Sequence, residues 1–142
     1  MTIKEQQDEI IADFELFSEW MDKYEYIIQL GKELPLIDPQ YKTEDNLIRG
    51  CQSRVWMHAE IRDGHLFFTA DSDAVITKGL VSLVIRVLSG HTPKDIVDAE
   101  LYFIDAIGLS SHLSPTRSNG LLSMVKQIKL YALGYLTKTA QS

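Results

Sequence analysis

Cys51 is the only cysteine in the chain, within Asn46-Leu-Ile-Arg-Gly-Cys-Gln-Ser-Arg-Val-Trp56. A cysteine used as a small core hydrophobe normally has apolar neighbours. This one follows a glycine and precedes polar residues, with Arg49 and Arg54 close in sequence. Positive charge favours the thiolate, the nucleophilic form of sulfur, so these surroundings suit a reactive thiol. Gly50 removes bulk beside the sulfur and frees the backbone there. A lone cysteine also excludes an internal disulfide, a CxxC redox pair and a multi-thiolate metal or cluster cage. No histidine stands near in sequence to act as base, which argues against a cysteine hydrolase.

Other motifs fall short of a site. Gly108-Leu-Ser-Ser-His112 nearly spells the GxSxG elbow of serine hydrolases, but His112 replaces the glycine that the sharp turn needs. Asp71-Ser-Asp73 lacks the sixth-position glycine and closing glutamate of a calcium loop. The histidines at 58, 65, 91 and 112 show no zinc-ligand spacing, so no metal is expected. A net charge of −6 argues against nucleic acid and anionic membrane as partners. The longest apolar run, Gly79 to Leu88, is interrupted by Ser82 and Arg86 and is too short to span a bilayer. The N-terminus is charged and lacks an export signal; with one unpaired thiol, a reducing cytoplasm is the expected compartment.

The elements that must hold Cys51 are legible from periodicity. Ile10, Phe14, Phe17, Met21 and Tyr24 form one helical stripe, which predicts an amphipathic helix over the first two dozen residues. A second helical pattern runs through Tyr26, Ile27, Leu30 and Leu34 and stops at Pro35. Residues 35–50 read as loop. From Ser53, Val55, Met57, Ala59 and Ile61 alternate with polar or amphipathic residues, predicting a strand. Asp63-Gly64 is a hairpin turn, with His65 to Ala70 returning. Asp71-Ser72-Asp73 offers caps for a helix over roughly 73–89, stopped at Gly90. Thr92-Pro93 starts another helix, the type of Leu101 to Ile107 stays open, and Ser114-Pro115 opens a last helix of about 20 residues. The expected class is α+β: a small antiparallel sheet, at least two strands, packed against N- and C-terminal helices, in one domain over 1–142.

At this point the residues resemble a known family. Asn46-x-Ile48-x-Gly50-Cys51-Gln52-Ser53-x-Val55-Trp56 is similar to the active-site motif of the SufE proteins, including the CsdE branch. Asp71-Ser72-Asp73-x-x-Ile76-x-Lys78-Gly79-Leu80 resembles the block after that family's hairpin. His112-Leu113-x-Pro115-x-Arg117-Ser118-x-Gly120-Leu121 resembles the block opening its last helix, and Tyr26-Ile27-Ile28-x-Leu30-Gly31 fits its N-terminal region. The resemblance implies a fold like that of iron–sulfur scaffold proteins without their cluster ligands.

It also implies a sulfur-transfer partner rather than a stand-alone enzyme. A pyridoxal-phosphate cysteine desulfurase of the SufS or CsdA kind makes a persulfide. Cys51 takes the outer sulfur, stimulating the desulfurase, and passes it to the Suf scaffold complex, SufBCD. The carrier itself would need no cofactor, and both monomer and homodimer stay open. Asp73 would hold the cysteine loop or cap a helix; Arg117 would contact the desulfurase, stabilise the thiolate or persulfide, or tie a loop. Asn46, Gly50, Gln52, Ser53 and His112 would shape the loop or docking surface. Arg49 and Arg54 stand where the motif requires nothing. A sheltered thiol is expected, because cytosolic thiols would reduce an exposed persulfide. Two other readings remain open: a desulfurase regulator with Cys51 incidental, and a thiol peroxidase.

Overall fold

The computed structural model describes residues 1–140. Its elements are α1 (Ile3–Phe14), α2 (Trp20–Gly31), β1 (Val55–Arg62), β2 (His65–Ser72), α3 (Val75–Leu88), α4 (Pro93–Asp98), α5 (Phe103–Ala106), α6 (Leu109–His112) and α7 (Pro115–Ala140). Two 3-10 turns, Pro39–Tyr41 and Glu44–Asn46, break up the segment before β1. The architecture is α+β, with a two-stranded antiparallel sheet backed by helices from both ends of the chain.

The single N-terminal helix expected from the stripe is in fact two. After Phe14 the backbone tightens into i→i+3 bonds, Leu16 N–H to Asp13 O and Phe17 N–H to Phe14 O, which end α1. The turn brings both Phe14 and Phe17 onto the ring of Tyr26 in α2, with centroids 5.2 and 5.1 Å away. Aromatic packing between two helices thus replaces continuation of one, and Met21 leaves the stripe at 62% exposure. The second helix also starts earlier and ends sooner than expected. It closes at Gly31 through 3-10 bonds at Lys32, Glu33 and Leu34, before Pro35 is reached.

The hairpin follows from its turn. Asp63 and Gly64 both adopt positive φ, 51° and 78°, the two-residue type I′ geometry that matches strand twist. Register runs from Arg62 opposite His65 to Val55 opposite Ser72. The returning strand therefore extends two residues past Ala70. Val55, Met57, Leu66, Phe68 and Ala70 are buried on the inner face; α3 packs on β2, and the ring of Tyr131 in α7 lies 6.3 Å from that of Phe68.

Helix α3 is the centre of the core, with Ile76, Leu80, Val81, Val84 and Leu88 among its buried residues. Its Gly79 permits an unusually close approach of α2. A Cβ on Gly79 would fall 2.1 Å from the carbonyl oxygen of Ile27, and one on Gly31 would fall 2.9 Å from Gly79 N. Ser82 Oγ adds a 3.0 Å hydrogen bond to Leu30 O, which also accepts from Glu33 N–H at 3.0 Å. On the other side Gln7, 1% exposed, ties α1 to the segment before α5. Its Nε2 donates to Glu100 O at 3.1 Å, and its Oε1 accepts from Phe103 N–H at 3.2 Å. The segment Leu101 to Ile107, of open type in the sequence, contains the short helix α5. The last helix is longer than expected, 26 residues.

The backbone-to-backbone contact gives a direct test. Gly79→Ala will destabilise the fold by about 3 kcal/mol in urea unfolding, because neither helix backbone can give way. Gly134→Ala, where an added methyl meets nothing within 4 Å, will instead stabilise by about 0.5–1 kcal/mol through helix propensity.

Candidate functional site

Cys51 sits at the tip of a loop whose two ends are fixed. At the neck, Ile48 N–H donates to Val55 O at 2.8 Å, closing residues 49–54 into a loop. On the β1 side, the turn leading into α3 grips the backbone of Arg54 at three points. Arg54 N–H donates to Asp73 Oδ1 at 3.0 Å, Asp73 N–H donates to Arg54 O at 3.3 Å, and Ser72 Oγ donates to the same oxygen at 2.8 Å. Asp73 therefore does not cap α3. That position falls to Ala74, which has no side-chain cap, so the capping expected from this residue gives way to a tie on the cysteine loop.

The tip lies against α7. Cys51 Sγ is 3.5 Å from Gly120 O, with the thiol as donor and the carbonyl as acceptor. Gly50 makes this contact possible, and Gly120 supplies its carbonyl. Gly50 has φ +91°, and a Cβ there would fall 2.5 Å from Ser123 Oγ. Gly120 presents bare backbone to the sulfur; a Cβ there would sit 3.6 Å from Sγ. Cys51 is half-buried, and the shelter expected for its sulfur is thus partial.

A cavity of about 60 Å³ adjoins the thiol, lined by Gln52, Ser53, Thr77, Arg117, Gly120 and Met124 among others. That is room for more than one water-sized atom. The first turns of two helices meet there: Thr77 from α3, and Thr116 and Arg117 from α7. Helix N-termini carry partial positive charge, so the walls are suited to an anion although the thiol's own position is not.

Burial pushes the Cys51 thiol above its ordinary value, with no cation offsetting it. Arg49 and Arg54 are exposed, and the expectation that they lower the thiol pKa is not met. The sulfur rests protonated because charged sulfur would lose solvent and face a carbonyl dipole.

The structure brings Cys51, Gly50, Gln52, Ser53 and Arg117 together and reaches Asp73 through Arg54. Asn46 and His112 lie outside the cavity wall. Asn46 Nδ2 donates to Tyr41 O at 2.6 Å, bracing the segment between the 3-10 turns. His112 stacks on Trp20 at 4.5 Å, and its Nδ1 lies 2.9 Å from Gly108 O. The partial hydrolase elbow is equally structural: Gly108 has φ 88°, and Ser110 bonds to Asp105. Sequence reasoning gave no role to Thr77, Gly120, Ser123 or Met124. Only Gly120 carried a signal, since glycine inside a helix costs roughly 1 kcal/mol relative to alanine and implies a packing reason.

Fold and site together define an α+β domain that holds one protonated thiol on a tethered loop. The sequence matches the SufE family, described as an Fe-S metabolism associated domain, over residues 8–132. It is 44% identical over 135 residues to an uncharacterised SufE-like protein of Rhizobium meliloti (strain 1021), covering 91% of this chain and 96% of that relative. In fold it is similar to the solution structure of a hypothetical protein from Thermus thermophilus, with a TM-score of 0.76 at 18% identity, covering 93% of this chain and 96% of that one. The chain belongs to the SufE family, the sulfur acceptors that work with cysteine desulfurases in iron–sulfur metabolism. Among the described residues no helix is long and apolar enough to cross a membrane.

The raised thiol pKa fixes a sign. The neutral thiol favours the folded state at pH values below the unfolded pKa, and that advantage is lost as pH rises through the folded one. Iodoacetamide labelling of native Cys51, followed by mass spectrometry across pH, will therefore show a midpoint above that of the same thiol in the urea-unfolded chain. A lower midpoint would mean that a cation governs the sulfur after all.

Proposed function

We propose that this protein carries sulfur as a persulfide on Cys51. The supporting observation is the placement of a lone thiol at the tip of an anchored loop, with Sγ on Gly120 O beside a small cavity. In the resting position the sulfur is protonated and half-buried. Docking of a cysteine desulfurase draws the tip off α7, the Cys51 proton passes to solvent or a base of the partner, and the thiolate forms. It attacks the outer sulfur of the donor persulfide: the new S–S bond forms as the old one breaks, and the donor cysteine departs as a thiolate. The donor is thereby returned for another cycle, which is how the carrier stimulates the desulfurase.

With the tip docked again, the terminal sulfur of Cys51–S–S⁻ fits the cavity, where Arg117 and the first turns of α3 and α7 offset its charge. Sulfur then passes to the Suf scaffold complex for cluster assembly by the same exchange. The carrier is cytoplasmic, uses no cofactor of its own, and comprises one SufE-like domain over 1–142. Gly50 permits the resting backbone, Gln52 and Ser53 wall the cavity, and Asp73 sets the hold on the loop. Asn46 and His112 shape the neighbouring surface.

Incubation with a cysteine desulfurase and cysteine, followed by mass spectrometry, will find one added sulfur at Cys51. Cys51→Ser will carry none and will lose stimulation of the desulfurase. Full stimulation by the serine variant, with no added sulfur on the wild-type chain, would overturn the carrier role in favour of a regulator. Asp73→Ala removes one of the bonds on Arg54, and Cys51 labelling at neutral pH will rise several-fold while the unfolding free energy from urea titration falls by no more than about 1 kcal/mol.

A further inference from the structure

Buried polar side chains are ordinarily hydrogen-bonded, so an unpaired one calls for a reason. Among the described residues two polar side chains are buried, Gln7 at 1% exposure and Thr77 at 7%. Gln7 has both ends of its amide paired, with Glu100 O and Phe103 N–H. The Thr77 hydroxyl is paired with no described residue. A helical threonine can turn its hydroxyl back onto the carbonyl four residues earlier, as Thr137 does on Leu133 O at 2.9 Å; Thr77 does not. It is also the one polar side chain among the buried residues of α3, beside Ile76, Leu80 and Val81. Valine has the same branched shape and would spare the core an idle hydroxyl.

The position of Thr77 supplies the reason. It lines the cavity beside Cys51. Among the described residues no side-chain oxygen or nitrogen is both sealed off and unpaired, so the Thr77 hydroxyl keeps an open face, and the space it lines is that cavity. Loading of the carrier creates a need for such a group. In the empty chain Cys51 Sγ donates to Gly120 O at 3.5 Å. A persulfide carries a second sulfur where the thiol had its hydrogen, so Sγ then has nothing to donate. The loaded tip needs another hold, and its terminal sulfur is an anion that accepts hydrogen bonds. A hydroxyl hydrogen rotates to suit its acceptor, and a bond to an ionised acceptor is about twice as strong as one between neutral groups.

We propose that the Thr77 hydroxyl donates a hydrogen bond to the terminal sulfur of Cys51–S–S⁻ and so holds the loaded tip in place. The inference rests on the persulfide reading given above. The latch changes with the cargo: the Cys51 thiol on Gly120 O when the carrier is empty, Thr77 on the outer sulfur when it is loaded. Thr77 makes and breaks no covalent bond; it binds what the exchange delivers.

The test loads Cys51 from two sources, a cysteine desulfurase with cysteine, and inorganic polysulfide. Cyanide then takes the outer sulfur as thiocyanate and leaves the Cys51 thiolate. Thiocyanate release from loaded Thr77→Val will be about tenfold faster than from the wild-type chain, the worth of one hydrogen bond to a charged group. Thr77→Ser keeps the hydroxyl and will release it at close to the wild-type rate. Iodoacetamide labelling of the empty thiol will be equal in all three chains, because the empty latch does not use Thr77. Empty Thr77→Val will unfold at no lower urea concentration than wild type, since it loses no existing bond. Equal thiocyanate rates for wild type and Thr77→Val, or a Thr77→Ser chain as fast as the valine variant, would overturn the proposal. So would faster labelling of empty Thr77→Val, which would make the hydroxyl a support of the loop itself. If polysulfide loads Cys51 and the desulfurase does not, the carrier role falls, while the thiocyanate rates still decide for or against Thr77. A wild-type chain that takes sulfur from neither source would overturn both.

Discussion

Everything at the site depends on how the segment from Arg49 to Arg54 is restrained. One backbone hydrogen bond, Ile48 to Val55, defines where the loop begins and ends. The grip of Ser72 and Asp73 on Arg54 then fixes its exit against the start of α3. What remains is the weak contact at the tip, a thiol against a helix carbonyl. Thiol hydrogen bonds are feeble beside the backbone bonds at the neck. The loop is thus strongly held at its base and lightly held at its tip, which is the order a movable sulfur requires.

The distant parts of the fold serve this arrangement. Both walls of the cavity are helix starts, and each helix is positioned by contacts far from the sulfur. α3 is fixed by the backbone approach at Gly79 and by Ser82 on Leu30 O. α7 packs on α4, where Lys129 Nζ donates to the carbonyls of Val97 and Ala99. Gln7 links α1 to the strand of chain before α5, so the N-terminal helix bears on the same frame. A cavity between two such helices holds its shape while the loop beside it moves.

The sequence revealed elements better than junctions. The β1–β2 hairpin was readable because its alternation and its Asp63-Gly64 turn are both local signals. The break between α1 and α2 was not, because Phe14, Phe17 and Met21 preserve helical spacing while the rings of Phe14 and Phe17 are drawn to Tyr26, a tertiary contact. At the site, Cys51 and Gly50 stood out by type. Thr77 and Met124 did not, since a buried threonine and a buried methionine on helical stripes look like any core residue. The flanking arginines misled for a related reason: nearness in sequence does not bring a side chain to the sulfur when the backbone turns it to solvent. Asp73 was legible as important but not in its role, because capping and loop-tying use the same short carboxylate.

The bond between Ile48 and Val55 also sets a length. Three residue steps separate Ile48 at the neck from Cys51, and three steps fully extended span about 10 Å. The sulfur therefore has a tether of that radius and no more unless the neck itself opens. Any atom that reacts with it must come within that radius of the end of β1, so a partner with a deeply recessed donor must admit the rim of the hairpin along with the loop.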